Sequence, residues 1–428
     1  MRAYRRLFAV GLLACLSAAA QDLADPDPKV RVKAARALAK NGSESIPRLL
    51  PLLKDATIDV RREAVRSIVA IGTHHSVDPL IQATRDNDPE VQARAVDGLV
   101  NFYLPGYVDT GSLQRLTSAV KRQFDRENTQ VIEPYVAVRP EVIRAIAPLV
   151  KGGASMESRA GAARALGILR GQAALPDLLD ALRIKDDAVI FESLIAIQKI
   201  RDVSAGPRIM FLLGDLAERV QVAAIETVGL LKTTDAVPDL KRVYGNSKSE
   251  KVRAKALGSL AMIADPSVKV LYQNGLTDKS DSVRASALEG FARLKDPGTK
   301  DSIERTFNSE KKMAPRLAAA FALVALGRTE TSELSPLTYL VNSLTSRSYR
   351  DVARPYLTEL AREAPVRNAL YAYLKTGVRD EKIGIARVLA VSGDKQSLAA
   401  LDALTKDSDV EVAQEAIRAL RSLQARLG

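Results

Sequence analysis

The chain has 428 residues, a formal net charge of +12, 46% hydrophobic residues but only 4% aromatic ones, no Trp and a single Cys. One compact core of that length would be unusually large, so a fold that grows in one dimension from small helical side chains is favoured. The lone Cys excludes an intramolecular disulfide and a cysteine-based metal site.

Residues 1–20 read as an export signal. Arg2, Arg5 and Arg6 precede an uncharged apolar run from Leu7 to Ala20, too short for an ordinary membrane-spanning helix. Small side chains at Ala18 and Ala20 predict cleavage before Gln21 and a periplasmic or cell-envelope location. The alternative takes Leu12-Leu13-Ala14-Cys15 as a lipobox, with Cys15 lipidated and the chain tethered from outside. No later apolar stretch is long enough to span a bilayer. Without the three leader arginines the charge is +9, spread thinly along the chain. Nucleic-acid binders concentrate basic residues in a stripe and add aromatic platforms, so nucleic acid is not the expected partner.

From residue 30 onward an apolar quartet at offsets 0, 4, 5 and 8 recurs about every 31 residues. It reads Val30, Ala34, Ala35, Leu38, then Val60, Ala64, Val65, Ile68, then Val91, Ala95, Val96, Leu99. It returns as Val220, Ala224, Ile225, Val228, as Val252, Ala256, Leu257, Leu260, and as Val283, Ala287, Leu288, Phe291. Those offsets fall on one stripe of a helix, so each quartet predicts the buried face of a first helix. Asp and Pro before several quartets, as at Asp27-Pro28 and Asp88-Pro89, suit caps and first turns. Gly42, Gly72, Gly327 and Gly393 are read as helix stops. A second apolar pattern follows, as in Leu175-Pro176-Asp177-Leu178-Leu179, so each unit is helix, turn, helix.

Further units start at Val189 and Val412, and in eroded form at Ser158, Pro315 and Glu381. The two long intervals, from 91 to 158 and from 315 to 381, are each read as hiding one degenerate repeat. Helices are expected over 112–124 and 139–150 in the first, and over 333–346, 350–364 and 366–376 in the second. The resulting organisation is a leader at 1–20 and one repeat domain over 21–428, with about thirteen units and irregular segments near 102–157 and 328–380.

The run from Asp27 to Leu38, together with Asp281-Ser282-Val283-Arg284-Ala285-Ser286-Ala287-Leu288, resembles the HEAT repeat, in particular its short variety also found in phycobilisome lyases. The resemblance implies an all-α, right-handed superhelical solenoid whose second helices line a concave face. It also implies a role in binding other macromolecules. The HEAT-type hydroxylases that hold iron need several His-Glu pairs, and this sequence has none.

Chemistry-bearing candidates are few. His74 and His75 are adjacent, point in different directions, and make a poor chelating pair. No nucleophile elbow, zinc-protease motif or glycine-rich phosphate loop occurs, so no enzyme activity, metal or cofactor is expected. Arg31, Arg61, Arg253 and Arg284, with Arg159 and Arg316, recur one residue after the anchor, and pairing with Asp27, Asp59 and Asp281 of the preceding turn is expected. Aromatic residues gather in two windows, Phe102, Tyr103, Tyr107, Phe124 and Tyr135, and Tyr339, Tyr349, Tyr356, Tyr371 and Tyr373. Exposed Tyr is a favoured interface anchor, so Tyr103, Tyr107, Tyr135, Tyr349 and Tyr356 are candidate contacts. Arg85, Arg183, Lys241 and Arg242 on second helices join them. The combined expectation is a monomeric, non-enzymatic scaffold of the bacterial cell envelope that binds a protein partner on its concave face. The alternatives are a bilin-lyase-like or other chaperone-type role in cofactor attachment, and binding of an anionic envelope surface or polymer.

Overall fold

The computed structural model describes residues 22–108 and 130–428, and the regular elements among them are all helical. The apolar quartets explain why. In the helix Ile58–Ile71, Val60, Ala64, Val65 and Ile68 are fully buried, while Arg61 and Arg62 are half-buried against the next repeat, paired with Asp86 and Asp88. The quartets starting at Val220 and Val283 are buried in the same way. The Val30 quartet is only half-covered, because no repeat among the described residues precedes it.

Each first helix begins and ends for local reasons. Asp88 accepts hydrogen bonds from the Glu90 and Val91 amides, and Pro89 supplies the preset first turn of Pro89–Tyr103. Gly72 closes Ile58–Ile71 in the left-handed region at φ 61°, after which a short 3-10 turn, His74–Ser76, leads into the second helix Val77–Ala83. Gly327 is also left-handed, whereas Gly393 ends its helix in an extended conformation. Arg201, Ala264 and Lys295 adopt the same positive φ at the ends of their first helices without being Gly.

The described residues fall into two units. In the first, comprising residues up to 132 and 138–202, the helices Pro28–Leu38, Ile58–Ile71, Pro89–Tyr103, Met156–Ile168 and Asp187–Ile200 pack on one another in succession. In the second, comprising 133–137 and 203–428, the succession is Glu218–Leu230, Glu250–Ile263, Asp281–Leu294, Met313–Ala325, Arg350–Leu360, Arg379–Ser392 and Val410–Leu427. Second helices flank these rows, as Leu175–Ala181 does Asp187–Ile200 and Val237–Asn246 does Glu250–Ile263. The architecture is an all-α solenoid of stacked helix pairs.

Neighbouring first helices approach closely where small residues meet. A Cβ on Gly229 would lie 2.8 Å from Ser259 Cα, and Ser259 Oγ donates to the Ile225 carbonyl at 2.8 Å. Ser67 bonds the Ala35 carbonyl at 2.9 Å in the same way. A buried hydroxyl thus finds an acceptor on the adjacent helix instead of being left unpaired.

The two long intervals have different contents. The second contains the full repeat expected, with Arg350–Leu360 as its first helix and Ala364–Thr376 as its second. The first does not hide a repeat, because Pro89–Tyr103 stacks directly on Met156–Ile168. The Ala154 amide donates to Gln92 Oε1 at 2.8 Å, and Ser158 Oγ to the Pro89 carbonyl at 3.3 Å. The segments Pro140–Ile146 and Leu149–Gly152 are the second helix of the repeat that starts at Pro89, and residues 104–139 are an insertion within that repeat. Twelve first helices, not thirteen, are present among the described residues. The helix expected over 112–124 lies outside them.

Candidate functional site

The recurring arginines build the repeat junctions. Arg31 Nε pairs with Asp55 at 2.7 Å while its Nη1 donates to the Asp25 carbonyl at 2.6 Å. Arg61 repeats this with Asp86 at 2.7 Å and the Asp55 carbonyl at 3.0 Å, and Arg284 with Glu310 at 3.0 Å and the Asp278 carbonyl at 3.0 Å. Arg367 does the same with Asp394 at 2.5 Å and the Ala361 carbonyl at 3.0 Å. The expected partners were misplaced by one repeat. Each guanidinium takes backbone carbonyls from its own preceding turn and a carboxylate from the turn that opens the next unit. Asp27 instead caps the Lys29 amide, and of the three expected acids only Asp281 meets its arginine, at 2.8 Å from Arg284. The hydrogen bond from Arg31 holds the Asp55 carboxyl below the ordinary carboxylate range against the opposing effect of burial. Arg316 has no such acid among the described residues and lies over the Phe307 and Tyr339 rings, 5.3 and 4.8 Å from their centroids.

The aromatic windows divide between core and surface. Tyr103 is half-buried at the end of its helix, edge-on to Phe102, and its hydroxyl accepts from the Arg139 amide at 3.2 Å. Tyr107 is half-buried, and Tyr135 is exposed at 41%. Tyr349 is half-buried where it precedes Arg350–Leu360. Tyr356 corrects the expectation of a surface anchor: it is 6% exposed, stacks on Phe321 at 4.5 Å and donates to Glu289 at 2.5 Å. Burial, with Glu289 beside it, drives its hydroxyl pKa well above the ordinary tyrosine value. The side chain fills the space between Asp281–Leu294, Met313–Ala325 and its own helix, a role that sequence spacing does not reveal. Tyr371 and Tyr373 bond Ser397 at 2.8 Å and Thr338 at 2.5 Å. Phe124 and Cys15 lie outside the described residues.

Of the second-helix cations, Arg85, Arg183 and Arg242 are exposed. Arg85 lies beside Lys54 and the Arg61–Asp86 pair. Lys241 reaches Ser267 at 3.1 Å, and Arg242 reaches Asp239 at 2.5 Å. These residues are distributed over several repeats, Arg85 and Arg183 in the first unit and Lys241 and Arg242 in the second. His74 and His75 start a short turn with ring centroids 3.9 Å apart. Among the described residues, no group of three or more side chains is assembled that could hold a metal ion. No described helix is long and apolar enough to cross a membrane.

A buried charge cluster in the first unit escaped the sequence reading. Arg164 pairs with buried Glu192 at 2.7 Å, and Lys199 lies nearby. Burial lowers the Lys199 pKa to about 8, with Glu192 opposing the shift and Arg164 adding to it. A second cluster links Arg293 to Glu289 at 3.0 Å and to Glu359 at 2.9 Å. Its signal in the sequence is the charged residue one turn from a quartet position, which looks the same as a solvated face.

Family models match the chain in two places, HEAT repeats over residues 16–128 and the PBS lyase HEAT-like repeat over 158–183. The repeats in these two stretches are of the HEAT type. Among solved structures, this HEAT-repeat chain is similar to the complex of CpcE and CpcF of phycocyanin lyase from Nostoc sp. PCC7120, at 17% identity and a TM-score of 0.37, covering 60% of this chain and 90% of that one. Importin beta is similar at 15% identity and a TM-score of 0.46, covering 95% of this chain and 62% of its own. Kap121p bound to Nup53p gives 13% identity and 0.42 over 96% of this chain, which spans 48% of Kap121p. No curated protein matches the HEAT-repeat chain by sequence.

Proposed function

We propose that this HEAT-repeat chain is a non-catalytic scaffold of the bacterial cell envelope that binds a protein partner on its second-helix side. The observation that carries the reading is the exposure of Arg85 and Arg183 just past the second helices Val77–Ala83 and Leu175–Ala181 in the first unit, and of Arg242 on Val237–Asn246 in the second, while the arginines of the first helices are engaged in repeat junctions. Cations exposed at repeat edges within a row of helix pairs suit an extended macromolecule better than a small substrate. Tyr135, exposed within the inserted segment, is the one aromatic candidate whose surroundings fit an interface anchor.

The test is capture of envelope proteins by the wild-type chain and by Tyr135→Ala and Tyr356→Ala, run beside thermal melts. Tyr135→Ala is expected to weaken capture with little change in melting. Tyr356→Ala is expected to lower stability by about 3 to 5 kcal/mol, as large aromatic truncations in a core do. Equal capture by wild type and Tyr135→Ala would remove that residue from the interface.

Export is part of the same proposal and is supported by Arg2, Arg5, Arg6 and the apolar run to Ala20. Mass measurement of the mature amino terminus is expected to give Gln21, with a lipidated Cys15 as the alternative. An intact Met1 on protein from its own host would exclude both.

A further inference from the structure

The helices Arg350–Leu360 and Arg379–Ser392, with the turn before the first, enclose a cleft of about 310 Å³ in the second unit. Its walls carry five arginines, Arg347, Arg350, Arg354, Arg379 and Arg387. The carboxylates around them are shared out unevenly. Arg379 takes Asp380 at 3.2 Å and Glu411 at 3.4 Å, Arg387 takes Glu415 at 2.9 Å, and Arg354 takes Asp351 at 3.6 Å. Arg347 and Arg350 form no ion pair or side-chain hydrogen bond with any described residue. Arg350 and Arg379 also open their helices, and each is followed directly by an acid, Asp351 and Asp380. Asp380 and Glu411 share the cleft wall with Arg379, so Arg347 and Arg350 are the two cations for which an anion would supply the missing partner.

The spacing of the guanidinium groups selects the shape of that anion. Arg350 and Arg354 are one turn apart on one helix, a rise of about 6 Å, and Arg379 and Arg387 are two turns apart on the next, about 12 Å. An extended peptide places every second side chain on one side at a repeat of about 6.6 Å. Carboxylates at alternate positions of such a peptide stay in step with both arginine rows, whereas a compact anion meets one or two guanidinium groups at a time. Half-buried Ile383 lies between Arg379 and Arg387 on the cleft wall and offers a seat for one apolar side chain. Guanidinium forks also match carboxylates in geometry.

We infer that this cleft binds an extended, acidic segment of the partner protein, with acidic residues at alternate positions. The inference rests on the scaffold reading and names the chemistry of the partner. It is tested with the full chain and a fluorescein-labelled peptide carrying four alternating glutamates, followed by anisotropy at low salt. The glutamine counterpart and inorganic pyrophosphate serve as comparisons. Wild type is expected to bind the acidic peptide and not its glutamine form, and Arg347→Glu with Arg350→Glu to weaken binding about tenfold or more. Lys248→Glu, exposed before Glu250–Ile263 and three stacked first helices away from Arg350–Leu360 in the same unit, is expected to leave binding within about twofold, because one distant exposed charge is screened. If the reversed pair melts early, Arg347→Gln with Arg350→Gln replaces it with the same expectation. Failure of wild type to bind the peptide, equal weakening by Lys248→Glu, or displacement of the peptide by equimolar pyrophosphate would each overturn the assignment. Undiminished capture of an envelope partner by the reversed pair would overturn it too, and would leave the scaffold reading standing.

Discussion

At the scale of single residues, Lys199 carries a measurable consequence. Its ammonium is half-buried near Arg164, and burial brings its pKa down to about 8. In the unfolded chain a lysine keeps its proton to about pH 10.4. Below pH 8 both states are protonated and the folded state bears the whole cost of holding the charge. Between these values the folded state releases its proton first, so the unfolded chain binds more protons and stability rises with pH. Lys199→Met removes the group that titrates. Melting curves from pH 7 to 10.5 should show the variant's advantage over wild type greatest at pH 7 and shrinking towards 10.5; a constant difference would contradict the assignment. Neither Lys199 nor Tyr356 could be placed from the sequence, because Lys199 lies past the last position of the Val189 quartet and Tyr356 in an interval without a readable quartet, where a buried and a solvated side chain look alike. His74, by contrast, was legible as part of a turn, since Gly72 fixes the end of the helix before it.

At the scale of elements, the junction arginines join two turns that are far apart in sequence. Arg61 and Asp86 have side chains only 12% and 8% exposed, so removing one partner leaves the other charged, largely covered and unmatched. Arg61→Ala is therefore expected to lower stability by about 2 kcal/mol, and more than the exposed pair Arg144–Glu141 would on similar truncation. Adding Asp86→Asn to Arg61→Ala should recover part of the loss. A double-mutant cycle by denaturant melting checks this, and strict additivity would refute the pairing. That the arginines are structural was readable from their period, but their partners were not. An acid three or four residues back and one in the next turn are equally plausible on paper, and only the lateral offset between stacked helices decides for the second.

At the scale of the molecule, the periodic quartet was sufficient to define the architecture because it reports the buried stripe directly, as Val60, Ala64, Val65 and Ile68 show. Where the stripe is lost, counting residues fails. Two intervals of similar length hold a complete repeat in one case and an insertion in the other, and interval length alone cannot separate them. The arginine cleft was hidden for a related reason: Arg347, Arg350 and Arg379 are spread over 33 sequence positions, and it takes the stacking of Arg350–Leu360 on Arg379–Ser392 to gather them.

The insertion at 104–139 also alters the order in which the array can form. Elsewhere in the first unit a first helix meets its second across a few residues, as at 72–76, and that pairing is local. In the repeat that begins at Pro89 the two helices are separated by 36 residues, and bringing them together costs about 2 kcal/mol more in chain entropy than closing a four-residue turn. Pro89–Tyr103 and Met156–Ile168 must therefore find each other as distant segments. Within its unit that repeat joins its two helices across the longest stretch of chain, so its closure carries the largest entropic cost of any pairing in the row.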